Sequence, residues 1–115
     1  MEYVKLGNTG IQVSKLCFGA LVIGPLQVNL PVDRGANIIK RGLELGINFI
    51  DTAELYGTYP HIKAAIKKSG KKPVVATKCY AYTKEGAAQS LEKARKELDM
   101  DVIDMFLLHE QESRT

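Results

Sequence analysis

The chain has 115 residues, of which 45% are hydrophobic and 25% charged, so it is long enough to bury one core and lacks the composition of a disordered chain. Its net charge of +3 is too small to indicate a nucleic-acid-binding surface, and its apolar runs are too short to span a membrane. The first residues do not read as a signal peptide, so we expect a soluble cytoplasmic protein without nucleic-acid or membrane partners.

The N-terminal segment predicts a β-hairpin. Two β-prone segments, 3–6 and 11–14, flank Gly7-Asn8-Thr9-Gly10, a sequence that supplies the positive backbone angles of a tight reversal. Residues 15–19 then read as a first buried strand. The apolar stretch 20–31 is interrupted by glycine and proline and predicts a long loop that packs on the protein or covers a ligand.

Three segments with helical periodicity follow. Asp33 is placed to cap the first, which ends at Gly46. The second begins at Pro60 and ends at Gly70. Thr83 is placed to cap the third. These helices alternate with apolar runs, which is typical of parallel α/β proteins.

Three apolar runs end in a polar residue. Residues 46–50 lead to Asp51, residues 73–77 lead to Lys78, and the run 102–108 leads to His109. The polar residues are about one βα unit apart, so we expect them to lie side by side at the carboxyl edge of a parallel sheet, where such folds bind their ligands. Tyr56 belongs to the same region, because it follows Asp51 by only five residues.

Both cysteines have a simple interpretation. Cys17 and Cys79 lack the spacing of a metal-binding pair. We expect both side chains to be buried in the protein, and the protein to be in a reducing compartment. A reactive thiolate at Cys79, next to Lys78, is the less favoured alternative.

Four motifs together resemble those of the aldo-keto reductases. The opening Lys5-Leu6-Gly7-Asn8-Thr9-Gly10 with Phe18-Gly19 resembles the N-terminal hairpin and first strand of that family. The later motifs resemble three successive signatures, and they are Phe49-Ile50-Asp51-Thr52-Ala53-Glu54-Leu55-Tyr56-Gly57, Ala76-Thr77-Lys78 and Leu107-Leu108-His109. The similarity extends from Met1 to about Gln111.

The resemblance implies an α/β fold built from the parallel units of a TIM-type (β/α)8 barrel. Such a barrel needs about 250 residues. Residues 1–115 would then form a single partial domain, the first half only, with the hairpin, about four strands and three helices, truncated after the fourth strand. Open edges of a half-barrel favour self-association.

The resemblance also implies an activity, the reduction of aldehyde or ketone carbonyls to alcohols with NADPH, NADH being possible, and without a metal. Tyr56 would be the general acid, with Lys78 against its hydroxyl, Asp51 paired to that lysine, and His109 orienting the carbonyl. Taken singly, each of these residues has an ordinary structural interpretation, such as a helix cap or a surface charge.

Further expectations concern the cofactor and an alternative function. Gly19, Ala20, Leu21 and Asp51 would touch the nicotinamide end of the cofactor, whereas the family's phosphate-binding groups come from later strands. The two cysteines give no support for the iron–sulfur domain of some relatives. The alternative is a non-catalytic half-barrel or a regulatory module that acts through association, as the channel-regulating members of the family do.

Overall fold

The computed structural model describes residues 1–111. Six strands, three α-helices and two 3₁₀ helices make up the described chain. The strands are β1 (Tyr3–Lys5), β2 (Gln12–Ser14), β3 (Phe18–Gly19), β4 (Phe49–Asp51), β5 (Val74–Cys79) and β6 (Met105–Leu108). The helices are α1 (Val32–Glu44), α2 (Tyr59–Ser69) and α3 (Lys84–Leu98), and the 3₁₀ helices are Ala20–Ile23 and Glu54–Tyr56.

The predicted N-terminal hairpin is confirmed. Strands β1 and β2 pair antiparallel, and the turn between them contains Gly7 and Gly10 with φ values of +54° and +78°. Asn48, just before β4, attaches the hairpin to the main sheet, because its side-chain oxygen accepts a hydrogen bond from Ser14 N at 2.6 Å. The Ser14 hydroxyl in turn accepts a hydrogen bond from Asn48 N at 3.1 Å.

The main sheet has four parallel strands in the order β3-β4-β5-β6. Each strand therefore pairs with the one before it, and α1, α2 and α3 each connect two neighbouring strands. This alternation confirms the predicted parallel α/β class. A sequential order without reversal is the arrangement from which a barrel is built.

The ends of the helices follow the sequence only in part. Thr83 caps α3 as predicted, since its hydroxyl accepts a hydrogen bond from Gly86 N at 3.0 Å. Gly70 ends α2 in the left-handed conformation, as predicted for a C-terminal glycine. The predicted cap at Asp33 is wrong, because Pro31 occupies the N-cap of α1 and Asp33 lies in its first turn, where it pairs with Lys68.

Two strands are shorter than predicted. The first strand of the main sheet consists of Phe18 and Gly19 alone, since the chain before it bends at Lys15 and Leu16, where the Ser14 hydroxyl donates a hydrogen bond to the Leu16 carbonyl. Strand β6 begins at Met105 rather than at residue 102. The stretch 20–31, predicted as a loop, begins with a 3₁₀ helix whose Ala20 and Ile23 are buried.

The two faces of the main sheet differ in what covers them. The covered face packs against the helices, and the core there contains Ile50, Val75 and, from the helices, Ile39, Ile62 and Leu98. The open face is defined by Asp51, Lys78 and Leu107, whose side chains are half-buried or exposed, although Ala76 on the same face is buried. Neighbouring residues of a strand point to opposite faces, so each strand contributes to both.

Candidate active site

Asp51 and Lys78 form an ion pair on the open face. Asp51 is the last residue of β4 and Lys78 the last but one of β5, and these strands are neighbours. Lys78 Nζ donates hydrogen bonds to Asp51 Oδ1 at 2.9 Å and to the Thr52 carbonyl oxygen at 2.6 Å. The lysine side chain is 16% exposed and that of the aspartate 46%, so the ammonium group is largely removed from water and the carboxylate is not.

Tyr56 reaches the same edge from the segment after β4. It ends the 3₁₀ helix Glu54–Tyr56, and Gly57 follows in the left-handed conformation with a φ of +68°. Lys78 Nζ lies 5.3 Å from the centre of the Tyr56 ring. In the described part of the chain no hydrogen bond joins this nitrogen to the phenol oxygen, so the lysine lies beside the ring as a positive charge.

His109 completes the group from the residue after β6. Its backbone N–H donates to the Cys79 carbonyl at 2.8 Å, which continues the parallel pairing one residue beyond the strand. The residue is 8% exposed, and its ring centre lies 5.8 Å from that of Tyr56 with the rings nearly perpendicular. The structure thus brings together all four side chains that the sequence places in the site.

Tyr80 and Glu110 also belong to this edge. The Tyr80 ring stacks on His109 with a centre-to-centre distance of 4.4 Å and an interplanar angle of 24°. The Tyr80 hydroxyl donates to Glu110 Oε2 at 3.1 Å. Sequence reasoning gave neither residue a role, although a tyrosine two positions after Lys78 and an acid directly after His109 were visible in the motifs.

A second tyrosine near the site lies on the other face of the sheet. Tyr59 is buried, and its hydroxyl forms a hydrogen bond with the Thr77 hydroxyl at 2.6 Å. Burial raises the pKa of Tyr59 to about 12. This phenol therefore stays protonated and inaccessible, whereas the side chains of Tyr56 and Tyr80 are half-buried at the edge that carries the site.

The residues expected at the nicotinamide end differ in accessibility. Gly19 pairs with Asp51 across β3 and β4, and the space that a Cβ would occupy at Gly19 is open. Leu21 is half-buried, whereas Ala20 is fully buried in the core. The space beside Gly19 and Asp51 is open, so these two residues are compatible with a bound nicotinamide ring.

The two cysteines differ in exposure. Cys79 is buried as expected, but the prediction for Cys17 is wrong, because this residue is exposed on the open face. Partial burial of the thiol and the neighbouring Asp51 carboxylate raise the pKa of Cys17.

Within residues 1–111 no three metal-ligating side chains come together, and no helix there is long and apolar enough to cross a bilayer.

The chain is similar to known proteins of one family. The sequence model of the Aldo/keto reductase family matches residues 15–115. L-galactose dehydrogenase from Arabidopsis thaliana is 34% identical over 125 residues, which cover 97% of this chain and 39% of that protein. A protein from the same plant named as a probable voltage-gated potassium channel subunit beta is 30% identical, over all of this chain and 39% of its own length.

Solved structures give the same result. The thermostable aldo-keto reductase Tm1743, solved in complex with the inhibitor epalrestat, superposes with a TM-score of 0.82 at 29% identity, covering 95% of this chain and 43% of that one. The chain thus spans about two fifths of the length of the relatives it matches, and the predicted class of TIM-type barrel units is confirmed. From its motifs, its parallel sheet and these matches, the chain belongs to the aldo/keto reductase family.

Proposed function

We propose that the protein takes part in the NADPH-dependent reduction of aldehyde or ketone carbonyls to alcohols, in the cytoplasm. The observation that supports this proposal is the convergence of Asp51, Tyr56, Lys78 and His109 at one edge of the sheet. Family membership supports an oxidoreductase in general. The chain spans about two fifths of the length of its relatives. The activity is therefore proposed for a complete barrel that contains this part.

In this proposal Tyr56 donates the proton to the carbonyl oxygen. A phenol has an ordinary pKa of about 10 and is a poor acid near neutrality. A lysine ammonium close to the ring favours the phenolate that proton transfer leaves behind, and Asp51 holds that ammonium in place. His109, whose ring centre lies 5.8 Å from that of Tyr56, orients the carbonyl oxygen through a hydrogen bond.

The cofactor would bind beside Gly19, Leu21 and Asp51. When bound, NADPH supplies the hydride that the carbonyl carbon accepts, and NADH offers the same chemistry. The residues of this chain orient the nicotinamide end and provide the proton. The fit rests on the open space at Gly19 next to the Asp51 carboxylate.

A second candidate function is association without catalysis. Strand β6 exposes Leu107 and Leu108, and its outer edge has no neighbouring strand within residues 1–111. One relative is named as a potassium channel subunit beta, which makes a regulatory role through association a specific alternative. In this case the four site residues would be retained by descent.

The experiment that tests the proposal is Tyr56→Phe, with NADPH binding followed by cofactor fluorescence and NADPH oxidation measured with and without a carbonyl substrate. We expect the substitution to lower the carbonyl-dependent rate by about 100-fold or more while NADPH binding is retained, because only the transferable proton is lost. Tyr82→Phe, at a tyrosine that is 78% exposed, is the matched control and should leave the rate unchanged.

Two outcomes would contradict the proposal. An unchanged rate in Tyr56→Phe would mean that another group donates the proton. NADPH binding without any carbonyl reduction, in a protein that forms a defined oligomer by light scattering, would favour the association function instead.

A further inference from the structure

The orientation of the His109 ring needs an explanation. A histidine that presents one ring nitrogen to a ligand is usually held by a hydrogen bond at the other. Here Nδ1 is buried and has no hydrogen-bond partner among the described residues. The backbone N–H of His109 donates a hydrogen bond to the Cys79 carbonyl. This bond fixes only the main chain and does not restrain the side-chain torsions that orient the ring.

Two aromatic rings enclose the imidazole instead. Tyr80 covers one face at 4.4 Å, and Tyr56 meets the ring edge-to-face at 5.8 Å. Aromatic pairs at such distances contribute about 0.5–1.5 kcal/mol beyond their buried area. Packing therefore takes the place of the missing hydrogen bond, and the stacked ring of Tyr80 makes the closer contact.

Tyr80 is itself fixed by Glu110. The tyrosine hydroxyl donates to Glu110 Oε2, and Glu110 adopts a left-handed backbone conformation with a φ of +50°. This conformation is uncommon for a residue other than glycine. The other carboxylate oxygen, Oε1, lies 4.0 Å from His109 Nε2, too far for a good hydrogen bond.

The same contacts select one tautomer of the neutral imidazole. Nδ1 has no partner among the described residues either as a donor or as an acceptor, so the surroundings of Nε2 distinguish the two forms. A proton on Nε2 faces the Glu110 carboxylate and is available to a ligand oxygen. The Nε2-protonated form is the one that can donate a hydrogen bond to a carbonyl.

We propose that Tyr80 is a positioning residue, which holds His109 by stacking so that Nε2–H points to the carbonyl oxygen, with Glu110 fixing Tyr80. The inference extends the proposed function, because it assumes that His109 orients the substrate. Tyr80 acts through His109 and takes no part in proton transfer. It thus receives a role that the sequence alone did not give it.

The first test is nitrogen-15 NMR of the histidine rings in the purified protein. The chain contains two histidines, so His61, buried between α1 and α2 with Nε2 at 3.0 Å from the Leu30 carbonyl, is an internal reference for the fold. We expect the His109 signals to report mainly the Nε2-protonated form. Tyr80→Leu should shift them toward the average of the two tautomers, whereas Tyr80→Phe, which keeps the stacked ring and loses only the hydrogen bond to Glu110, should shift them no more than slightly.

The result that would overturn the inference is an unchanged His109 spectrum in Tyr80→Leu. If the His61 signals show that this variant does not fold, Glu110→Ala replaces it, because it removes the hydrogen bond of Tyr80 from an exposed position. We then expect a smaller shift of the His109 signals in the same direction, and no shift would again overturn the inference.

A second test separates positioning from general structure. In carbonyl reduction we expect Tyr80→Leu to lower kcat on the order of ten- to a hundredfold with unchanged NADPH affinity, and Tyr80→Phe to restore most of it. A merely structural role would lower cofactor binding as well. The NMR result does not depend on turnover, so a protein that reduces no carbonyl contradicts the proposed function while the NMR test still decides the role of Tyr80.

Discussion

The two faces of the parallel sheet differ in burial and in the residues that they carry. On the covered face Ile50, Ile62 and Val75 are fully buried between the sheet and its helices. On the open face the Asp51 side chain is 46% exposed and Leu107 as a whole residue is 44% exposed, and this face carries the candidate site. Burial of apolar area is the main stabilising contribution in folding, so the covered face should determine stability and the open face activity.

This division means that changes on the two faces should have separate consequences. A residue of β4 or β5 contributes to one face only, because successive side chains alternate. Ile50 and Asp51 are neighbours in the chain, yet one belongs to the core and the other to the ion pair with Lys78. The following predictions test this separation, beginning with the largest expected effect on stability.

The largest effect should come from a cavity on the covered side. Ile62→Ala removes a fully buried side chain of α2, and we expect the free energy of unfolding to fall by about 2–5 kcal/mol in urea titrations. Leu107→Ala on the open face is the matched control and should cost less than about 1 kcal/mol. Equal losses in both variants would mean that something covers the open face in solution.

An intermediate effect is expected where α1 and α2 touch. A Cβ at Gly35 would lie 2.5 Å from His61 Cδ2, and the buried ring has little room to move, so Gly35→Ala should destabilise the protein by about 1–3 kcal/mol. In the same helix Gly42→Ala meets its nearest atom at 3.6 Å. That control should stabilise by about 0.5–1 kcal/mol, because alanine favours helix. Thermal unfolding of both variants measures the difference, and destabilisation by both would contradict it.

The smallest effect on stability should occur in the site itself. Lys78→Met removes the partner of a half-exposed carboxylate, and we expect the free energy of unfolding to change by no more than about 1 kcal/mol. Carbonyl reduction should be lost in the same variant, since no ammonium then stabilises the phenolate of Tyr56. A large loss of stability would show that the ion pair stabilises the sheet. This outcome would contradict the view that the covered face determines stability and the open face activity.

The positions of the main site residues followed from the chain alone. Parallel strands bring their carboxyl ends to one edge, so polar residues at the ends of three apolar runs predicted the grouping of Asp51, Lys78 and His109. Helix ends at Thr83 and Gly70 were equally predictable, because hydroxyl caps and left-handed glycines depend on local geometry.

Other features depend on contacts that no local pattern encodes. The stacking of Tyr80 on His109 requires particular side-chain torsions and a left-handed Glu110. The exposure of Cys17 could not be read either, because an apolar run does not reveal which face of its strand is covered. The short first strand results from the Ser14 hydroxyl, whose bond to Leu16 competes with strand pairing.

The strand order β3-β4-β5-β6 has a consequence for synthesis on the ribosome. Within residues 1–111, each strand of the main sheet after β3 pairs with the strand made just before it. Each pairing crosses one helix, so its residues lie about 25–32 apart in the sequence, and parallel pairings of this kind form more slowly than contacts within a helix. The nascent chain can therefore assemble this sheet one unit at a time, and each new helix covers apolar surface soon after it leaves the exit tunnel.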